Sequence, residues 1–114
     1  MHADLGTYRK TLLDLYLRLP DTPRRVSRFD LRLVRDLWER EIPFTMVEMA
    51  FLLASARRAN RPADALPLGP IRSLAYFLPV IEELRQTPLQ HADAYLAYLR
   101  TKVSLGFPPA YVKT

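Results

Sequence analysis

The sequence contains no cysteine. Disulfides, thiol nucleophiles and cysteine-based zinc sites are therefore excluded, and the absence fits a reducing compartment. Histidine is nearly absent, with only His2 and His91 available as imidazoles. His2 adjoins the initiating Met, and His91 is expected in an exposed first helical turn, so neither is placed for a Ser-His-acid arrangement. Glycine occurs only 3 times, without Asn-Gly or Asp-Gly hairpin signals. There is no Gly-rich phosphate loop and no dinucleotide fingerprint. The longest clean apolar run, Met49 to Ala54, falls far short of the roughly 20 residues that span a bilayer. Asp4, Arg9, Lys10 and Asp14 interrupt the N-terminal stretch, which lacks the apolar region of a signal peptide, and a cytoplasmic location is expected. The acidic pairs Glu39/Glu41 and Glu82/Glu83 lie one or two residues apart and point in different directions on a helix, so they form no converged dyad. These absences predict a protein that is not an enzyme and that needs no cofactor or metal.

What is present is ordinary globular material. The chain has 114 residues, 49% hydrophobic and 25% charged, which fits one domain with one modest core. We expect a single helical domain over residues 1–106 and a C-terminal tail over 107–114. Prolines, 10 in all, fall mostly where segments break.

Apolar spacing of three and four runs through the whole chain and predicts an all-α fold. Leu5, Tyr8, Leu12, Leu15, Tyr16 and Leu19 define a first helix, ended by Pro20 and Pro23. Ser27 and Asp30 form an acidic capping box that opens a second helix to about residue 41, with Leu31, Val34 and Trp38 as its stripe. Pro43 opens a third helix that reaches about residue 59 and is apolar on nearly every side, the mark of a buried central helix. Residues 60–70 form a long loop with three prolines, read as an extended strap or a functional loop. Ser73 caps a fourth segment to about residue 86, which Pro79 must kink or split. Thr87, Pro88 and Gln90 read as the start of a fifth helix, with Gly106 as its stop. The expected fold is a compact bundle of about five helices around the third, burying Leu12, Tyr16, Val34, Trp38, Val47, Phe51, Ala54, Phe77, Ile81, Leu96 and Leu99.

Charge supplies the functional hint. Lys plus Arg number 17 against 12 acids, a net of +5, and 14 of the cations are Arg, whose planar fork suits phosphate. Arg25, Arg28, Arg32 and Arg35 step by three, four and three and share one helical face, with Arg24 just ahead. Such a row either tracks a phosphate backbone or is a solvated face with Asp36 and Glu39 as partners. A second cluster, Arg57, Arg58, Arg61 and Arg72, brackets the long loop. Tyr76, Tyr95, Tyr98 and Tyr111 fall off the clearest core stripes; at helical spacing such tyrosines either finish the edge of the core or, where exposed beside arginine, stack on unpaired bases.

The order of these segments resembles a family. The second helix, Ile42-Pro43, the run Val47-Glu-Met-Ala-Phe-Leu-Leu-Ala54, an Asn-containing loop and a Tyr-led helix are similar to the C-terminal domain of the DnaD-type primosomal replication proteins, over about residues 30–84. The family's Tyr-x3-Ile-x3-Trp signature keeps its spacing at Tyr76, Val80 and Leu84, with Val and Leu replacing Ile and Trp. The stretch Ile71-Arg-Ser-Leu-Ala-Tyr-Phe77 is also similar to helical modules of plasmid and mobile-element replication proteins. The resemblance implies DNA binding near Tyr76 and partners in replication or mobile-element function. The expected function is a DNA-associated module that contacts single-stranded or duplex DNA through Arg24, Arg25, Arg28, Arg32, Arg35, Arg57, Arg58, Arg72 and Tyr76. The alternative is a helical adaptor or small subunit of a larger nucleoprotein complex that binds a protein partner and no nucleic acid of its own.

Overall fold

The structure, a computed structural model, describes residues 3–103 and 105. Five helices and one 3-10 turn follow in order: α1 Leu5–Arg18, α2 Arg28–Glu39, α3 Phe44–Ala59, the turn Leu74–Phe77, α4 Leu78–Gln86 and α5 Ala92–Lys102. No strand occurs among the described residues. His2, Tyr111, the stop expected at Gly106 and the tail lie outside them.

α3 is the centre, as its composition predicts. Residues Val47 to Ser55 are buried without interruption, a pattern possible only for a helix covered on all sides. α1, the 3-10 turn, α4 and α5 pack on it. α2 departs from the expected arrangement and rests mainly on α1 and the 3-10 turn. An aromatic trio joins the layers: Phe51 of α3 lies 4.8 Å from Phe77 and 6.1 Å from Tyr16 between ring centres. All three rings are fully buried. A bidentate pair ties α5 to α3, with Arg100 Nε and Nη2 each donating to Glu48 at 2.8 Å.

Ten of the eleven residues expected in the core are buried. The exception is Trp38, which is half-buried and packs against the rim of the core. The face of α2 that turns inward carries Asp30, Val34 and Leu37, so the buried stripe is rotated by one position from the expected one. Trp38 lies beside it, and its indole N–H donates to the Ala3 carbonyl at 2.7 Å ahead of α1.

Proline and cap chemistry set the joints. Pro79 cannot donate an N–H, and the fourth segment divides there into the 3-10 turn and α4, whose first turn carries the proline. The expected start of α5 at Thr87 is not observed. The Thr87 N–H instead closes α4 by donating to the Glu83 carbonyl at 2.9 Å, and α5 begins at Ala92 behind His91. With glycine scarce, Asp21, Glu41 and His91 take the left-handed backbone at φ of 66°, 57° and 56°.

Candidate nucleic-acid interface

Two proline-bearing connections, 19–27 and 60–73, cross on one edge of the bundle. The Ile71 N–H donates to the Asp21 carbonyl at 2.9 Å and forms the first crossing. The second is made by Asp30, which is 1% exposed. One oxygen, Oδ2, accepts the Ser27 N–H at 3.0 Å and closes the capping box that Ser27 Oγ completes on the Asp30 N–H. The other, Oδ1, accepts the Leu74 N–H at 2.9 Å across 44 positions of sequence. One carboxylate thus starts α2 and fixes the entry of the 3-10 turn against it.

Between these crossings lie Arg24 and Arg25 on one connection, Arg28 at the start of α2, and Arg72 on the other connection. All four are exposed, and none forms an ion pair with a described residue. Arg32 extends the group by one turn and is also exposed without such a pair. At about 100° per residue, Arg28, Arg32 and Arg35 fall within roughly 60° of arc, nearly opposite the buried face of α2. Arg35 differs from the rest because its Nε donates to Glu39 at 3.3 Å. The first turn of a helix is where the macrodipole disfavours cations, by about 0.3–1 kcal/mol each. Arg24, Arg25 and Arg28 gather at that end, so the stability of α2 does not account for them.

The arginines of α3 behave otherwise. Arg57 holds Glu83 of α4 in a bidentate pair at 2.9 and 2.7 Å. That hydrogen bonding raises the Arg57 pKa and lowers that of Glu83. Arg58 was expected among solvent-facing phosphate ligands, but its side chain is only 9% exposed. Its Nε donates to Asp21 Oδ2 at 3.0 Å, its Nη1 to the Tyr76 hydroxyl at 3.3 Å and its Nη2 to the Gly69 carbonyl. Its guanidinium also lies 5.5 Å from the centre of the Tyr76 ring. Arg58 is thus the pin between the two connections that carry the exposed arginines. Arg61 braces the long loop from within, donating to the Leu66 carbonyl at 2.6 Å. Tyr76 is 39% exposed and sits beside Arg58.

A groove that the sequence reading did not assign lies beyond Arg57. It encloses about 710 Å³ between α3 and α5, lined by Arg57, Asn60, Tyr95, Tyr98 and Lys102 among others. The tyrosines stack at 6.1 Å between ring centres with 18° between planes. Their i, i+3 spacing on α5 was the available signal.

Among the described residues there is no group of three or more His, Cys, Asp or Glu that could hold a metal ion. None of the described helices is long and apolar enough to cross a membrane. The described residues form an all-α bundle of five helices with an arginine-rich edge. Comparison with protein-family models, with curated proteins and with solved structures gave no match.

Proposed function

We propose that this chain is a non-enzymatic, DNA-associated helical module that binds the nucleic-acid backbone through its arginine edge. The observation that carries the reading is the set Arg24, Arg25, Arg28, Arg32 and Arg72, exposed together and free of acidic partners among the described residues. Cations already held by carboxylates give up those pairs to bind phosphate, whereas these five give up only water and counterions. Arg35 extends the row along α2, Tyr76 sits beside Arg58, Arg57 is a secondary contact that must first leave Glu83, and Arg58 acts by holding the two connections together. The resemblance of residues 30–84 to the DnaD-type domain supports a replication or mobile-element accessory role, in the cytoplasm where such DNA is found.

The double charge reversal Arg28→Glu/Arg32→Glu tests the edge. Both residues are solvent-exposed, and Arg28→Glu also improves the charge at the start of α2, so the fold is expected to hold. Affinity for duplex DNA should fall about tenfold or more, and the slope of log affinity against log salt should flatten by about 2, for two lost phosphate contacts. Unchanged affinity in a variant of unchanged melting temperature would rule out this face.

A protein partner is the second reading, favoured by Phe29 and Leu31. They are 46% and 41% exposed and flank the arginine row on either side of α2. That combination suits docking in an acidic groove with apolar walls. A wild-type chain that ignores DNA at low salt would move the assignment to this adaptor role.

A further inference from the structure

The groove between α3 and α5 is not needed for backbone binding, yet it continues the same surface. It shares Arg57 with a smaller cleft lined by Arg61, Tyr76 and Val80. That cleft shares Arg58, Arg61 and Leu68 with a third, which reaches Asp21. The Asp21 carbonyl holds Ile71, the neighbour of Arg72. Through these shared lining residues the clefts follow one another along a path from α5 across the end of α3 to Asp21, on the connection that also carries Arg24 and Arg25.

Cations and aromatic rings alternate along that path. Tyr98 is 54% exposed and Tyr76 is 39% exposed, large apolar surfaces left open on a small domain. Tyr95 braces the Tyr98 ring by stacking on it. The Lys102 ammonium stands 5.4 Å from the centre of the same ring, on a stem long enough to swing to a neighbouring phosphate. Lys102 lines the groove with positive charge, Arg57 borders it while held by Glu83, and Asn60 adds an amide that can donate to or accept from a base edge. Duplex DNA hides its base faces and has no use for exposed rings at such a site. Single strands present every base face, and stacking on tyrosine accepts any of them.

We propose that the groove beside Tyr95 and Tyr98 is a stacking site for unpaired bases, which extends the arginine edge into a track for single-stranded DNA. The proposal rests on the DNA-binding reading above and adds to it a strand form and a second set of residues. Bases stack on the Tyr98 ring while Lys102, which forms no ion pair with a described residue, takes the adjoining phosphate. Tyr76 offers a second ring further along, held in place by Arg58.

The test compares wild type with Tyr98→Ala and Tyr98→Phe, using a labelled oligothymidylate and a blunt-ended annealed duplex as probes. Tyr98 is exposed, so its replacement leaves the core intact, and a thermal melt verifies this. Tyr98→Ala should bind oligothymidylate about tenfold more weakly, as expected for one lost stacked base, and bind the duplex within about twofold of wild type. Tyr98→Phe should retain wild-type affinity, because it keeps the ring. Equal oligothymidylate binding by wild type and Tyr98→Ala would overturn the stacking site while leaving the arginine edge standing. A wild-type chain that binds neither probe at about 20 mM salt, where phosphate attraction is strongest, would overturn both.

Discussion

Replacing Phe51 by alanine should destabilise the fold by about 3–5 kcal/mol. Phe51 is fully buried, and its ring touches both Tyr16 and Phe77, so the deletion empties the point where α1, α3 and the 3-10 turn meet. The loss combines the transfer energy of the ring with a cavity that three helical elements cannot collapse together to fill. A domain of this size is stable by only about 5–15 kcal/mol, so the melting temperature should drop by more than about 12 °C. Phe51→Leu keeps most of the volume and should cost much less. A Phe51→Ala variant melting within two or three degrees of wild type, taken here as about half a kcal/mol, would contradict the central position of α3.

Asp30→Ala should show the second largest effect, a loss of about 2–4 kcal/mol, because it removes two acceptors from a buried position and strands the Leu74 N–H. Ser27→Ala removes only the side-chain half of the cap and should cost about 0.5–2 kcal/mol. An excess loss in Asp30→Ala reports the acceptors that Asp30 alone supplies, to the Ser27 and Leu74 N–H groups. On the proposed DNA-binding reading, Asp30→Ala should also weaken DNA binding under conditions where it remains folded, because the segment that carries Arg72 loses its anchor on α2 at Leu74. Ser27→Ala should bind as wild type does. Equal stability losses in the two variants would contradict a larger role for the buried Asp30 carboxylate than for the Ser27 side-chain cap.

These residues mark how far the sequence could be read. The Ser27–Asp30 capping box was legible because both partners lie within one turn. Pro79 announced its break for the same local reason, and the apolar run of α3 declared its burial. The bond from Asp30 to Leu74 had no such signal, since it spans 44 positions and forms only when the connections cross. Arg58 illustrates the same limit. By spacing it belongs with Arg57 and Arg61, yet packing turns it inward to Asp21, Tyr76 and Gly69. The end of α2 was hidden differently. Its closing turn, with the Glu41 N–H on the Trp38 carbonyl and the Ile42 N–H on the Leu37 carbonyl, is a Schellman motif with Glu where glycine is usual. Burial of Ile42 against the core holds that residue in place, and no local rule points to it.

The arginine edge was visible as a row on one helix but not as a two-segment surface. Spacing put Arg25, Arg28, Arg32 and Arg35 on one face of α2. Only the fold brings Arg72 to them, through anchors at Asp21 and Asp30. The same fold separates Arg57, held by Glu83, from the unpaired set.

The most direct test of the account is the affinity of the purified chain for short labelled duplex and single-stranded DNA across a salt series. If the five unpaired arginines each take a phosphate, affinity should be micromolar or tighter at low salt and fall steeply, with a log–log slope of about −3 to −5. Absence of binding at low salt, or binding indifferent to salt, would contradict a backbone-binding arginine edge.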